Sequence, residues 1–246
     1  MRIGLFIPCY VDQFYPQVGV ATLELLEKAG CSVHYVADQT CCGQPMANSG
    51  FQRESLDCAK LFVKNFSRFD HVVTPSGSCA LFVRDHYEVL GDSTEVRRVR
   101  SSVYELSEFL TDVIGRPLPA VSFPHRVGLH QSCHGLRGLR LGSGSERQVE
   151  PFNKVRSLLE RVEGMSIVEL SRADECCGFG GTFAVKEEAL SVAMGNDRLV
   201  DHESAGAEFI TGADVSCLMH LEGLVRRQRR PLRVVHFAEI LNGSVS

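Results

Sequence analysis

Two stretches of the chain decide how it folds: Gln39-Thr40-Cys41-Cys42-Gly43-Gln44-Pro45 and Asp174-Glu175-Cys176-Cys177-Gly178-Phe179-Gly180-Gly181. Each follows a short apolar run, Ser32-Val33-His34-Tyr35-Val36 in one case and Ser166-Ile167-Val168-Glu169-Leu170 in the other, and both runs read as strands. Upstream of the first pair, Arg2-Ile3-Gly4-Leu5-Phe6-Ile7-Pro8 reads as a strand ending at Cys9. Val20, Leu23, Leu25, Leu26 and Ala29 then mark a helix closed by Gly30. Downstream, Leu56, Ala59, Leu61, Phe62 and Phe66 predict a helix over 54–66. His71-Val72-Val73-Thr74 is a further strand, running into Pro75-Ser76-Gly77-Ser78-Cys79.

The second stretch has the same surroundings. Arg126-Val127-Gly128-Leu129-His130 is a strand ending near Cys133. Val155, Leu158, Leu159 and Val162 give a helix closed near Gly164, and another helix is expected over about 186–201. Glu208-Phe209-Ile210-Thr211 is a strand ending before Cys217. The likeness reaches beyond cysteine. Leu25-Leu26-Glu27-Lys28 matches Leu158-Leu159-Glu160-Arg161, and the stretch from Val103-Tyr104-Glu105-Leu106 to Leu110 matches that from Val234-Val235-His236-Phe237 to Leu241. Such matches in one order point to duplication. The expectation is an α/β protein of two tandem halves, 1–120 and 121–246, each with a mainly parallel sheet flanked by helices. The proline-dense stretch from Gly115 to Pro124 is the expected boundary, and Leu141-Gly142-Ser143-Gly144-Ser145 reads as a flexible loop lacking the Lys and Ser/Thr of a phosphate-binding loop.

Composition narrows the function. The 246 residues carry a formal charge of -4, with 44% apolar and 23% charged residues, as an ordinary globular protein does. That charge argues against binding nucleic acid by bulk positive charge. The N-terminal apolar run stops at Pro8, too short for a secretion signal, and no segment has the length of a membrane helix. A cytoplasmic protein without a transmembrane segment is expected, and there thiols stay reduced. Ten cysteines then point to metal or redox chemistry.

Eight of the ten fall into the repeat: Cys9, Cys41, Cys42 and Cys79 in one half, Cys133, Cys176, Cys177 and Cys217 in the other. Each lies just past a strand, on the turn into the next helix, and in an open parallel sheet such turns share one edge. Three turns can therefore aim four thiolates into one crevice. Thiolates are soft donors suited to iron–sulfur clusters, Zn or Cu(I). Adjacent cysteines make strained disulfides but can give two sulfurs to a multinuclear centre. The glycine after each pair permits a positive φ and close backbone approach. Cys31 and Cys58 lie outside the repeat and read as small apolar residues.

This pattern resembles the cysteine-rich domain named for its Cys-Cys-Gly motif, found in heterodisulfide reductase and in the iron–sulfur subunit of glycolate oxidase. Among such proteins the chain is most similar to the lactate utilisation protein A family. The resemblance runs nearly end to end, through Phe14-Tyr15-Pro16, both Cys-Cys-Gly stretches, Pro75-Ser76-Gly77-Ser78-Cys79, the segment Tyr104 to Leu110, Ser132-Cys133-His134 and Cys217-Leu218-Met219-His220. It implies the iron–sulfur subunit of a multi-subunit oxidoreductase. That subunit would bind no flavin itself and would pass electrons alongside two partner subunits that oxidise L-lactate to pyruvate. The eight repeat cysteines would hold one or two clusters, of 4Fe-4S type, with Zn in one half as the alternative. A thiol/disulfide oxidoreductase and a non-catalytic Zn-binding scaffold are the rival functions. In the heterodisulfide reductase relatives each motif has a further Cys three residues before the last. Here those positions are Ser76 and Asp214. They read as turn or helix-cap residues, with an oxygen-ligand role as the alternative.

Three histidines lie near the motifs. His134 and His220 lie close to a motif cysteine and are expected to support the ligands without ligating, whereas His130 lies on a strand and reads as structural. Asp174-Glu175 reads as a turn, and Arg226-Arg227-Gln228-Arg229-Arg230 as a solvated helix end. No catalytic residue stands out, and no hydrolytic constellation is present.

Overall fold

Ile3 and Leu5 alternate with Gly4 on a strand buried from end to end except at Arg2, which is what a central strand of a parallel sheet requires. This strand, β1 (Arg2–Leu5), pairs in parallel with β2 (Ser32–Tyr35) on one side and β3 (His71–Thr74) on the other. With β4 (Val103–Glu105) beyond β3, the order is β2-β1-β3-β4. β2 is an exposed edge; β3 is buried apart from His71. The structure, a computed structural model, describes residues 1–245, and the chain divides into Met1–Arg116 and a second unit from Pro117 on.

The connections of the first unit are helical. After β1 come α1 (Cys9–Phe14) and α2 (Pro16–Lys28), the latter started by a proline whose missing N–H costs nothing there. Val18, Ala21, Leu25 and Leu26 form the buried face of α2. After β2 come α3 (Gln44–Asn48) and α4 (Gln52–Phe66), which buries Ser55, Ala59, Phe62 and Phe66. α5 (Gly77–His86) follows β3, then α6 (Thr94–Ser102), and α7 (Leu106–Glu108) follows β4 and runs into a wider π-type turn over Phe109–Ile114.

The second unit repeats the sheet. β5 (Arg126–Leu129), β6 (Ser166–Ile167), β7 (Phe209–Gly212) and β8 (Arg233–His236) are all parallel, in the order β6-β5-β7-β8. Its helices are α8 (Lys154–Leu159), α9 (Phe183–Lys186), α10 (Glu188–Ser204), α11 (Val215–Gln228) and α12 (Phe237–Asn242). The two parallel α/β sheets expected from the sequence are thus both present. No helix is long and apolar enough to cross a membrane among the described residues.

Two segments differ from the sequence expectation. The strand read over 166–170 is ordered as β only at Ser166–Ile167, because the chain turns where the N–H groups of Ser171 and Arg172 donate to Asp201 at 3.0 and 3.1 Å. The loop expected to be flexible at 141–145 is pinned. Leu141 is buried, Gly142 bridges to Asn153, and the N–H and hydroxyl of Ser145 donate to Asp174 at 2.8 and 2.6 Å.

Each Cys-Cys-Gly is clamped against the second helix after it, α4 in one unit and α10 in the other. Gly43 has φ +94° and Gly178 φ +87°, a left-handed conformation that side chains resist. A Cβ on Gly43 would stand 3.0 Å from the Ser55 carbonyl oxygen, and one on Gly178 only 2.7 Å from Met194 Cβ and from the Ser191 carbonyl oxygen. Gly178→Ala therefore meets about 1–2 kcal/mol of left-handed strain together with about 1–3 kcal/mol of overpacking. Urea denaturation of the variant is expected to show a lower midpoint with an unchanged slope.

A second prediction concerns pH. Glu105 ends β4 and caps α7, its Oε2 accepting from the N–H of Ser107 at 2.7 Å and of Glu108 at 3.3 Å. Complete burial outweighs these donors and pushes its carboxyl up to about 8 from the usual 4.5. The folded chain keeps a proton that the unfolded chain has already released. The contribution to stability is full below pH 4.5 and is lost as pH rises to about 8, at about 1.4 kcal/mol per pH unit. Glu105→Gln, which cannot ionise, is expected to abolish this decline when urea midpoints are compared across that range.

Candidate metal centre

In the order β2-β1-β3-β4 the chain adds strands on opposite sides of β1, so the connections after β1 and β3 part and leave a crevice at the strands' C-terminal ends. The four motif cysteines of the first unit come from that end. Cys9 opens α1, Cys41 and Cys42 lie on the loop after β2, and Cys79 is the third residue of α5. Cys9 Sγ is 3.5 Å from Cys41 Sγ, and Cys42 Sγ is 3.4 Å from Cys79 Sγ. The Gly43 N–H, freed by the left-handed turn, donates to Cys41 Sγ at 3.4 Å. Tyr87, itself buried, donates its hydroxyl to the Cys42 carbonyl at 2.9 Å and fixes the pair's backbone from below. Cys42 and Cys79 are buried, while Cys9 and Cys41 are partly exposed.

The electrostatics follow from this packing. Cys41 receives hydrogen bonds from the Cys42 and Cys9 thiols and from Gly43, which hold it down to about 3, as a thiolate. The donors shift in the opposite direction: hydrogen bonding to Cys41 and burial push Cys9 and Cys42 well up. Cys9 and Cys42 thus hold their protons beside the anionic Cys41, and a metal would displace those protons.

The second unit builds the same arrangement. Cys133 starts the turn His134–Gly138, Cys176 and Cys177 follow β6, and Cys217 is the third residue of α11, as Cys79 is of α5. Hydrogen bonds from Cys133, Cys177 and the Gly178 N–H, the last at 3.4 Å, hold Cys176 down to about 2. Cys133 and Cys177 are raised by donating to Cys176 and by burial. Cys177 and Cys217 lie in an apolar cluster with Leu199, Ile210, Leu218 and Leu221, which shields the inner side from water.

The positions where relatives would carry a further cysteine are helix caps. Ser76 accepts from the Cys79 N–H at 3.5 Å, and Asp214 accepts from the Ser216 N–H at 3.2 Å and its hydroxyl at 2.8 Å. Each fixes the first turn of the helix that carries the last motif cysteine. Of the histidines, His134 Nδ1 is 3.9 Å from Cys133 Sγ, and His220 Nε2 donates to the Ser191 carbonyl at 3.3 Å. Cys31 follows α2 and Cys58 lies on α4; both are partly exposed and stand outside the sulfur contacts just described.

His130 is the residue that sequence reasoning placed without seeing its neighbours. It is fully buried, and its ligating nitrogen lies with Cys177 Sγ and Cys217 Sγ in a trio whose atoms are all within 4.8 Å of one another. Neither ring nitrogen has a hydrogen-bond partner among the described residues. Burial and then the Arg198 cation push its pKa down to about 3, so the imidazole is neutral and has a lone pair to offer. The signal was present in the repeat: Arg2-Ile3-Gly4-Leu5-Phe6-Ile7-Pro8-Cys9 aligns with Arg126-Val127-Gly128-Leu129-His130-Gln131-Ser132-Cys133, and His130 stands where the first half has Phe6.

The donor chemistry fits a thiophilic metal centre. Each unit gathers four thiols, the Cys-Cys pair presents one ionised sulfur, and the second unit adds a buried imidazole with no other partner among the described residues.

Comparison with known proteins agrees with the sheet and the cysteines. The family model of the CCG cysteine-rich domain matches residues 3–84 and 127–222, once in each unit. Lactate utilization protein A of Geobacillus kaustophilus (strain HTA426) is 40% identical over 246 residues, covering 98% of this chain and 99% of that protein. Lactate utilization protein A of Halalkalibacterium halodurans is also 40% identical, covering 98% of this chain and 97% of that one. A solved structure described as a hypothetical protein from Helicobacter pylori superposes with TM-score 0.64 at 11% identity, a likeness of fold alone. It covers 100% of this chain, which spans 49% of that longer chain. With the cysteine-rich domain matched in both units and full-length relatives at this identity, the chain belongs to the lactate utilization protein A family of CCG cysteine-rich domain proteins.

Proposed function

We propose that this protein is the iron–sulfur electron-transfer subunit of a multi-subunit system that oxidises L-lactate to pyruvate inside the cell. The observation that carries the proposal is the convergence, twice over, of four thiols at the crevice end of a parallel sheet, each set with one sulfur held as thiolate by neighbouring thiols and a glycine N–H. Family membership supplies lactate as the substrate class: the relatives are named for its utilization. The eight ligands would be Cys9, Cys41, Cys42 and Cys79 in one unit and Cys133, Cys176, Cys177 and Cys217 in the other.

An iron–sulfur cluster, when bound, supplies one-electron transfer at a potential set by its surroundings. Oxidation of lactate to pyruvate releases two electrons and two protons, so two such centres match the electron count. The residues of this chain bind and tune. Cys41 and Cys176 enter already ionised, which lowers the cost of displacing thiol protons. The Gly43 and Gly178 N–H groups offset negative charge on sulfur. Leu199, Leu218 and Leu221 keep water from the inner side of the second set, while the partly exposed Cys133 and Cys176 mark the side open to an electron donor or acceptor on partner subunits. A second reading, Zn in the second unit, is favoured by one observation: His130, Cys177 and Cys217 are a donor trio of the kind Zn takes.

Iron, acid-labile sulfide and zinc measured on protein purified without oxygen, together with EPR of the reduced state, test both readings. The expected result is brown protein with iron and sulfide in equal amounts and a cluster signal. Cys41→Ser is expected to remove the first-unit signal and leave the second. Stoichiometric zinc confined to the second unit would assign Zn there, and protein free of iron and sulfide would overturn the iron–sulfur reading. Deletion of the gene is expected to abolish growth on L-lactate as sole carbon source.

A further inference from the structure

The two units diverge beneath their cysteine sets in a way that the shared fold does not require. Phe6 and His130 occupy the same place: the Phe6 N–H donates to the Val73 carbonyl at 3.0 Å, and the His130 N–H to the Thr211 carbonyl at 2.7 Å. Both follow the central strand by one residue. In the first unit Phe6 meets Phe62 edge-on at 4.8 Å and Phe66 at 5.8 Å, both from α4.

The equivalent residues of α10 follow from three landmarks. Ser55 and Ser191 are the residues packed under Gly43 and Gly178. Asn65 and Asp201 each bond the loop after the edge strand, at the Asp38 carbonyl in one case and the Ser171 and Arg172 N–H groups in the other. Of the central-strand glycines, Gly4 faces Phe66 together with Phe69, and Gly128 faces His202. With these in register, Phe62 corresponds to Arg198 and Phe66 to His202.

An aromatic trio in one unit is therefore a His–Arg–His trio in the other, and all three polar residues are buried to within 2% of completeness. Burying such groups is costly unless each is satisfied. The Arg198 charge is matched: it pairs with Asp201 at 2.9 Å, lies 3.6 Å from Glu175, and donates to the Arg172 carbonyl. His130 and His202 have no such match among the described residues, since the ring nitrogens of both lack a partner, but of the two only His130 stands with Cys177 and Cys217, within 4.8 Å. Around a tetrahedral metal with bonds of about 2.0–2.3 Å, ligand atoms lie about 3.5–3.8 Å apart. Side-chain movement of ~1 Å would close the trio.

We infer that His130 is a nitrogen ligand of the second-unit metal centre, which is a mixed imidazole–thiolate site, whereas the first-unit centre is all-thiolate. This rests on the reading of the cysteines as a metal or cluster centre but not on the metal being iron. The imidazole is neutral where a thiolate is anionic, so a second centre in which His130 takes the place of one of the four thiolates carries less negative charge, and such substitution raises the potential of an iron–sulfur centre.

The test uses the full chain, stripped of metal without oxygen and titrated with Co2+ alone, wild type against His130→Phe and His130→Gln. His130→Phe restores the side chain found at Phe6. Loss of a partner of a metal ligand already costs about 10–100-fold in affinity. The expected result is a loss of ~100-fold or more at one class of Co2+ site, with the other class unchanged. Since a variant can misfold, pulsed EPR on wild-type protein labelled with 15N-histidine reads the same point without a mutation, in both the Co2+-loaded and the iron-loaded forms. A directly bonded nitrogen coupling supports the inference. Unchanged Co2+ affinity in folded variants, or only the weak coupling of an unbonded ring, overturns it. Iron and sulfide with no bonded nitrogen would sink His130 and leave the iron–sulfur reading standing. Bonded nitrogen in the Co2+ form of a chain that takes up no iron or sulfide would do the reverse.

Discussion

A single backbone contact governs the geometry of both cysteine sets: the N–H of the glycine after each pair turns back onto the sulfur of the first cysteine, at 3.4 Å in both units. Only a left-handed residue can point that N–H there, and only a residue without a Cβ can do so while lying against the helix beneath. Held first by its thiol neighbours and then by the glycine N–H, the first cysteine is a thiolate, and the second is directed inward, toward the cysteine on α5 or α11. The parallel sheet supplies the remaining condition by ending three strands at the same edge. The cap residues Ser76 and Asp214 set the first turn of α5 and α11, so the last cysteine of each set is third in its helix both times. The site is thus the product of one turn, one strand order and one cap, used twice.

Much of this was legible in the sequence because duplication offers an internal control. The alternation of apolar runs with helical periodicity pointed to both parallel sheets, and the cysteine positions to the edge on which they gather. Strand lengths were less legible. The run from Ile3 to Pro8 is uniformly apolar, yet β1 ends at Leu5 because the Ile7 N–H bonds Gln39 Oε1 in place of a neighbouring strand. The β6 strand stops after two residues because Asp201, far along the chain on α10, captures the N–H groups of Ser171 and Arg172. Both are side-chain captures of backbone over long sequence distance, which local periodicity does not contain.

His130 shows a different limit. Pattern placed it on the strand, whereas β5 ends one residue earlier at Leu129, and what it faces depends on α10, which buries the polar pair Arg198 and His202. Read alone, these look like separate buried polar residues. Set beside Phe6, Phe62 and Phe66, they are a replacement of one packed unit by another at constant fold. A sheet tolerates this exchange because the Arg198 charge is matched within the core by Asp201.

The clamp of Gly43 on Ser55 and of Gly178 on Ser191 has one more effect. The atoms that shape the cysteine sets are the same atoms that dock α4 and α10 onto their sheets. Anything that grips the sulfurs therefore grips the core, and its binding energy enters the unfolding equilibrium directly. A loaded chain is the more durable one, and an unloaded chain opens more often along those helices. Retention of the chain in a cell would then report occupancy of its sulfurs, a form of self-inspection written into two glycines.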